Sequence, residues 1–248
     1  MAKPLNLDSI IGNPKNRIAR VGVELEGGWI KPPADMVLEH DGSVFRDQTT
    51  GLVVPPVGVT KLGELPLGPY QPAAIPKAMR KYYPQKVDKT CGMHVHMSFE
   101  SLLHYGRLMV PEYQETIVEY LGRWAQKEGF PKTHHIWQRL EGKSPYCQKK
   151  FWPDLQIDMK RKGGNEYYDQ QRPGHRYTIV HYCGRQNTIE VRVLPMMENV
   201  DQAIRAIKQV FDITNACLVV LAAKEERIGS KVELPVGEVV EDWVEERL

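Results

Sequence analysis

Paired cysteines are missing from this chain of 248 residues: Cys91, Cys147, Cys183 and Cys217 are irregularly spaced and none forms a CxxC pair. With no signal peptide at the start, that pattern points to free thiols in a reducing cytoplasm. No basic stripe with interleaved aromatics is present, and the formal net charge is only +2. The densest basic run, Lys149-Lys150 followed by Lys160-Arg161-Lys162, is short and reads as a solvated loop, so no nucleic-acid partner is expected. The longest apolar stretch, around Ala216 to Ala223, is too short to span a bilayer, so no membrane partner is expected either. Internal repeats and low-complexity segments are also absent. What is present is ordinary apolar content, 42%, on a chain long enough to bury a full core as one large domain or two small ones.

Residues 1–19 are polar and broken by Pro and Gly, which predicts a short lead-in. Val21, Val23 and Leu25 then alternate with Arg20, Gly22, Glu24 and Glu26, the period of a half-buried strand. Asp41-Gly42-Ser43 is a turn signal, and a short apolar run Leu52-Val53-Val54 stops at Pro55-Pro56. The Gly/Pro-rich segment from Gly58 to Pro76 reads as a loop, followed by a helix over Ile75 to Tyr83 with Pro76 in its first turn. A second strand runs through Met93, Val95 and Met97. A long helix over Pro111 to Glu128 ends at Gly129. Residues 130–174 are polar, irregular and rich in aromatics, an insertion or lid. Strands are expected over Tyr177 to Tyr182 and Thr188 to Leu194, then a helix from Val200 to Ala223. A charged, loosely packed tail over 225–248 follows, leaving 20–224 as the main domain.

Three of these strands share a design. Glu24-Leu25-Glu26, His94-Val95-His96 and Glu190-Val191-Arg192 each place polar residues at i and i+2 around an apolar one. Side chains two apart on a strand face the same way. In one sheet they collect Glu24, Glu26, His94, His96, Glu190 and Arg192 on one face, and leave an apolar face to pack under the two long helices. Clustered carboxylates raise one another's pKa, a penalty that a divalent cation removes. Carboxylates suit Mg²⁺ or Mn²⁺, and a histidine in the set leans toward Mn²⁺ or Zn²⁺. Arg192 adds a planar cation suited to phosphate or carboxylate.

The motifs GVELE, DGS, GMHVH and NTIEVR, in this order, resemble the amidoligase family, one of the glutamine-synthetase-like carboxylate–amine ligases. The similarity runs from about Arg20 to Ala223. It implies an α+β fold with a curved, mainly antiparallel sheet of glutamine-synthetase-like type, helices packed on one face, and a site for ATP and Mg²⁺ or Mn²⁺. By position, Glu24, Glu26, His94 and Glu190 match the metal-holding residues. Arg192, Arg176 and His96 fall where the nucleotide phosphates are held, and Asp41 matches the acidic residue of the turn. The implied reaction is ATP-dependent amide formation through an acyl phosphate, between small-molecule or peptide carboxylate and amine substrates. Glutamine-synthetase relatives often assemble, so the resemblance extends to a homo-oligomer. One departure stands out: the strand at Leu52 to Val54 has no acid, with Glu64 the nearest substitute. The aromatics Trp137, Tyr146, Trp152, Tyr167 and Tyr168 would let the 130–174 segment cover the site.

Two other readings follow from the residues. His94, His96 and Glu100 fit HxHxxxE, the ligand spacing of a cupin-like metal enzyme. The acid-free strand fits a ligase-like module that binds a nucleotide or protein without turnover. Cys91 with His94, His181 and Asn187 makes a poor nucleophile set, because residues three apart on a strand face opposite sides. Cys183 and Cys217 read as core packing, and His134-His135 as loop surface.

Overall fold

Alternating apolar residues build the sheet and apolar stripes at helical spacing build the layer against it. The computed structural model describes residues 2–35, 39–40, 58–62, 73–145, 147–149, 177–183 and 187–229. In chain order the elements are β1 (Arg20–Gly27), β2 (Glu39–His40), β3 (Gly58–Leu62), α1 (Ala74–Tyr82), β4 (Gly92–Ser98), α2 (Leu102–Leu108), α3 (Pro111–Lys127), α4 (His135–Leu140), β5 (Lys143–Ser144), β6 (Cys147–Gln148), β7 (Val180–Cys183), β8 (Thr188–Pro195) and α5 (Val200–Gly229). The class is α+β. β1, β4, β8 and β7 lie side by side in one antiparallel sheet, extended by β3 and β2 in the order β2-β3-β1-β4-β8-β7.

The apolar positions named from the alternation are the buried ones. Val21, Val23, Leu25, Met93, Val95, Met97, Ile189, Val191 and Val193 all belong to the core. Burying each such side chain contributes about 1.5–3 kcal/mol. They join one continuous cluster with Tyr113, Ile117 and Leu121 of α3 and with Ala203, Ile207, Val210, Phe211 and Cys217 of α5. α5 is long and apolar enough, by length and composition, to cross a membrane, but 61% of its most apolar window is buried in the protein. Its apolarity is spent on the core. Pro111 opens α3, where its missing N–H costs nothing, and Gly129 takes φ +80° just past its end.

Several expectations are corrected. The segment read as a loop from Gly58 contains β3, which pairs with β1 from Val23↔Leu62 to Gly27↔Gly58. Sheet pairing overrides the local Gly/Pro composition there. α2 was not foreseen; its seven residues are too few for a clear periodic signal. The described part of the 130–174 insertion holds α4 and a β5–β6 hairpin rather than irregular chain. α4 packs against β8 and α3, and its Arg139 reaches the polar side of the sheet beside Gly92. α5 continues past Ala223 to Gly229, and Glu225 pairs with Arg107 of α2 at 2.7 Å. The N-terminal lead-in packs along α3: Leu7 is fully buried, and its N–H donates to Tyr120 Oη at 2.7 Å.

Candidate metal centre

Strand register decides which side chains meet. Glu24 is the cross-strand partner of His94, and Gly22 of His96. His96 is in turn the partner of Glu190, which faces His181 on its other side. Directly opposed residues share a face. The polar members of β1, β4, β8 and β7 therefore converge, as the i, i+2 pattern predicted for the first three.

His94 is the hub. Its Nδ1–H donates to Glu24 Oε2 at 2.9 Å and lies 3.4 Å from Glu190 Oε1, while Nε2 lies 3.6 Å from Glu26 Oε1. His96 Nε2 approaches the same two oxygens, Glu24 Oε2 and Glu190 Oε1, at 3.7 Å each. Its other nitrogen, Nδ1, bonds Thr188 Oγ1 at 3.0 Å, which aims Nε2 at the carboxylates. Arg192 pairs with Glu190. One donor atom from each of Glu24, His94 and Glu190 lies within 4.8 Å of the other two. Two ligands about 2.1 Å from one ion and at right angles are about 3.0 Å apart, so once His94 Nδ1 gives up its proton the 2.9 and 3.4 Å separations around it suit a divalent cation in place of the hydrogen bond. The donor set of carboxylates and imidazoles is one that Mg²⁺, Mn²⁺ or Zn²⁺ accepts.

The electrostatics fit the same picture. Burial alone would raise the Glu24 carboxyl, but hydrogen bonds from His94 and His96 outweigh it and hold it well below the usual carboxylate range. Glu190 is only 3% exposed. Burial pushes its carboxyl up, and the charges of Arg192, His96, His94 and His181 bring it down below the ordinary value. His96 shifts up, because Glu190 and Glu24 outweigh its burial. Both carboxylates are thus held as anions, the form a metal needs.

Two local features shape the face. Gly92 N–H donates to Glu26 Oε2. A Cβ at position 92 would lie 2.8 Å from His94 Nε2 and 3.0 Å from both Arg139 Nη1 and Glu26 Oε2, so any side chain there would crowd all three. The β4–β8 register also slips by one, from Met93↔Leu194 to Val95↔Val191. His94 therefore faces both Arg192 and Val193 across a β-bulge, a device that re-aims side chains beside sites.

The structure unites Glu24, Glu26, His94, His96, Glu190 and Arg192. Asp41, Arg176, Glu64, Leu52 to Val54, Tyr146, Trp152, Tyr167 and Tyr168 lie outside the described residues. Trp137 is pinned on α4 by its indole N–H, which donates to Pro131 O at 2.9 Å. Glu100 is exposed beyond Ser98, where β4 ends, and takes no part in the cluster. Cys91 is buried, and burial raises its thiol above the ordinary range. Cys217 is core, as expected, whereas Cys183 is only half-buried. His134 and His135 are not loop surface. They are half-buried and stacked at 4.2 Å, and His134 caps α4 by accepting from Ile136 N.

Sequence reasoning missed two residues of the polar face. His181 is buried on β7 opposite Glu190; the alternation of Val180-His181-Tyr182-Cys183 carried the signal, but only strand register gives it a partner. Arg139 comes from a six-residue helix and has no motif around it. Burial pushes its guanidinium below the ordinary value. No family model, curated protein or solved structure matches the chain.

Proposed function

We propose that this chain is an ATP-dependent carboxylate–amine ligase with a divalent-metal site on the polar face of its sheet. One observation carries the reading: Glu24, His94 and Glu190, from three separate strands, direct donor atoms to within 4.8 Å of one another, beside the Arg192 guanidinium. The order of the motifs, which resembles that of amidoligases, supports the same conclusion.

Glu24, Glu26, His94 and Glu190 would hold Mg²⁺ or Mn²⁺, which when bound neutralises charge on phosphate oxygens. The chain's own groups do the rest. Arg192 is anchored by Glu190 and offers a planar donor set to the γ-phosphoryl. His96, fixed by Thr188, presents Nε2 on the same side. Arg176 adds a second cation, and Asp41 accepts the proton that the amine loses. The substrate carboxylate oxygen attacks the γ-phosphorus and ADP leaves, giving an acyl phosphate. The amine nitrogen attacks the carbonyl carbon, the carbon–oxygen bond to phosphate breaks, and inorganic phosphate departs. Positioning and charge stabilisation supply most of the rate in such transfers.

The test is phosphate release from ATP with Mg²⁺ or Mn²⁺ across a panel of small and peptide carboxylates paired with amines. Release that requires both substrates, and is abolished in Glu24→Ala and His94→Ala but kept in Glu100→Ala, supports the ligase. Unchanged release in Glu24→Ala and His94→Ala removes the assigned site. ATP binding without carboxylate-dependent release favours a binding module instead.

A further inference from the structure

The proposed reaction asks Arg192 to point a guanidinium at a phosphate, yet Arg192 sits on the bulge of β8, where the ladder is locally disrupted. Something must hold that backbone. Arg139 is 3% exposed, and its bonds among the described residues go to backbone carbonyls. Nη1–H donates to Arg192 O at 3.4 Å and to Leu194 O at 3.5 Å, the carbonyls flanking the extra residue, Val193. Nη2–H donates to Thr90 O at 3.4 Å, tying the bulge to the entry of β4. Among the described residues no carboxylate comes within ion-pair distance of Arg139. Burying a guanidinium this way is costly, and only a planar, multi-donor fork reaches three carbonyls at once. Gly92 is the second, independent observation: its missing side chain leaves the space that Arg139 Nη1 occupies.

We infer that Arg139 is a positioning residue for Arg192, pinning the β8 bulge so that the Arg192 guanidinium leaves the strand toward the phosphate site. The inference rests on the phosphate role of Arg192 proposed above. It predicts coupling. Arg139→Lys keeps the charge but loses the fork, and it should weaken binding of a fluorescent, non-hydrolysable ATP analogue with Mn²⁺ by about tenfold, the scale of one charge-assisted hydrogen bond. Mn²⁺ alone, followed by the paramagnetic signal of the free ion, should bind within about twofold of wild type, because Glu24, His94 and Glu190 are untouched. In an Arg192→Met background the Arg139→Lys effect on the analogue should vanish.

If the effect persists undiminished in Arg192→Met, or if Arg139→Lys binds the analogue as wild type does, the positioning role is overturned. If Arg192→Met alone leaves analogue binding unchanged, the phosphate role of Arg192 falls first, and the inference goes with it. Nitrogen-15 spectra of the Arg192 Nε–H give a readout independent of the nucleotide: hydrogen exchange there should speed up in Arg139→Lys, and an unchanged rate counts against the inference. Arg139→Gln carries the same cycle should the lysine variant misfold.

Discussion

Replacing Gly92 by alanine adds one methyl group at the most crowded point of the polar face. The new Cβ would stand 2.8 Å from His94 Nε2 and 3.0 Å from Arg139 Nη1 and Glu26 Oε2. All three are side-chain ends, which normally yield at little cost, but here each is held. His94 is tied to Glu24, Glu26 to the Gly92 N–H, and Arg139 to three carbonyls. Overpacking of this kind costs about 1–3 kcal/mol. Restricting the unfolded chain by removing a glycine returns only about 0.4–1 kcal/mol. The crowding wins, and a net loss of about 1–2 kcal/mol should lower the melting temperature by about 2–8 °C for a domain of this size. Because His94 is the hub, Mn²⁺ affinity should fall about tenfold or more. Calorimetric melting of the apo protein and a Mn²⁺ titration check both. The control is Gly106→Ala in α2, where a Cβ meets nothing within 4 Å, so the helix should gain up to about 1 kcal/mol. A Gly92→Ala protein that melts at or above wild type and binds Mn²⁺ unchanged would refute the crowding argument.

Three further outcomes follow from the same geometry. In the presence of chelator, stability should fall below about pH 4.5 as Glu24 and Glu190, whose folded pKa values are depressed, take up protons that the unfolded chain already holds. It should also fall as pH rises above about 6.5 through the raised pKa of His96. His135, pushed down to about 4, acts only below 6.5, so urea midpoints between pH 6.5 and 8 isolate His96, and His96→Gln should flatten that limb. Thr188→Val removes the partner of His96 Nδ1 and should weaken nucleotide binding with Mn²⁺ about tenfold with little change in melting temperature, read by analogue titration. Tyr113→Phe breaks the fully buried bond to Thr214 Oγ1, which keeps its bond to Val210 O, and should cost about 1 kcal/mol in chemical denaturation without touching metal affinity.

Most of the polar face was legible because its signal is local. An i, i+2 pattern fixes which side of a strand a residue takes, and this alone grouped Glu24 with Glu26, His94 with His96 and Glu190 with Arg192. The long helices were legible through their apolar stripes. What escaped is what only pairing decides. β3 hides in a Gly/Pro-rich segment because its edges are set by β1 and β2, and the bulge at Arg192 and Val193 looks like unbroken alternation until β4 lies beside it. Arg139 is invisible for the same reason, since nothing in its six-residue helix announces a reach across to Arg192 O. The far end of α5 runs beyond its apolar stripe, where Glu225 is held by Arg107 of α2.

The strand order has a bearing on how the protein comes into being. β4 lies between β1 and β8, so Glu24 meets His94 early in the chain while Glu190 comes from close to its far end. During translation the first two can pair long before the third has left the ribosome, and a nascent chain stopped short of Pro195 lacks one wall of the candidate metal centre. Ribosome-stalled intermediates should therefore gain the β1–β4 pairing without any ability to retain Mn²⁺, which arrives in one step with β8.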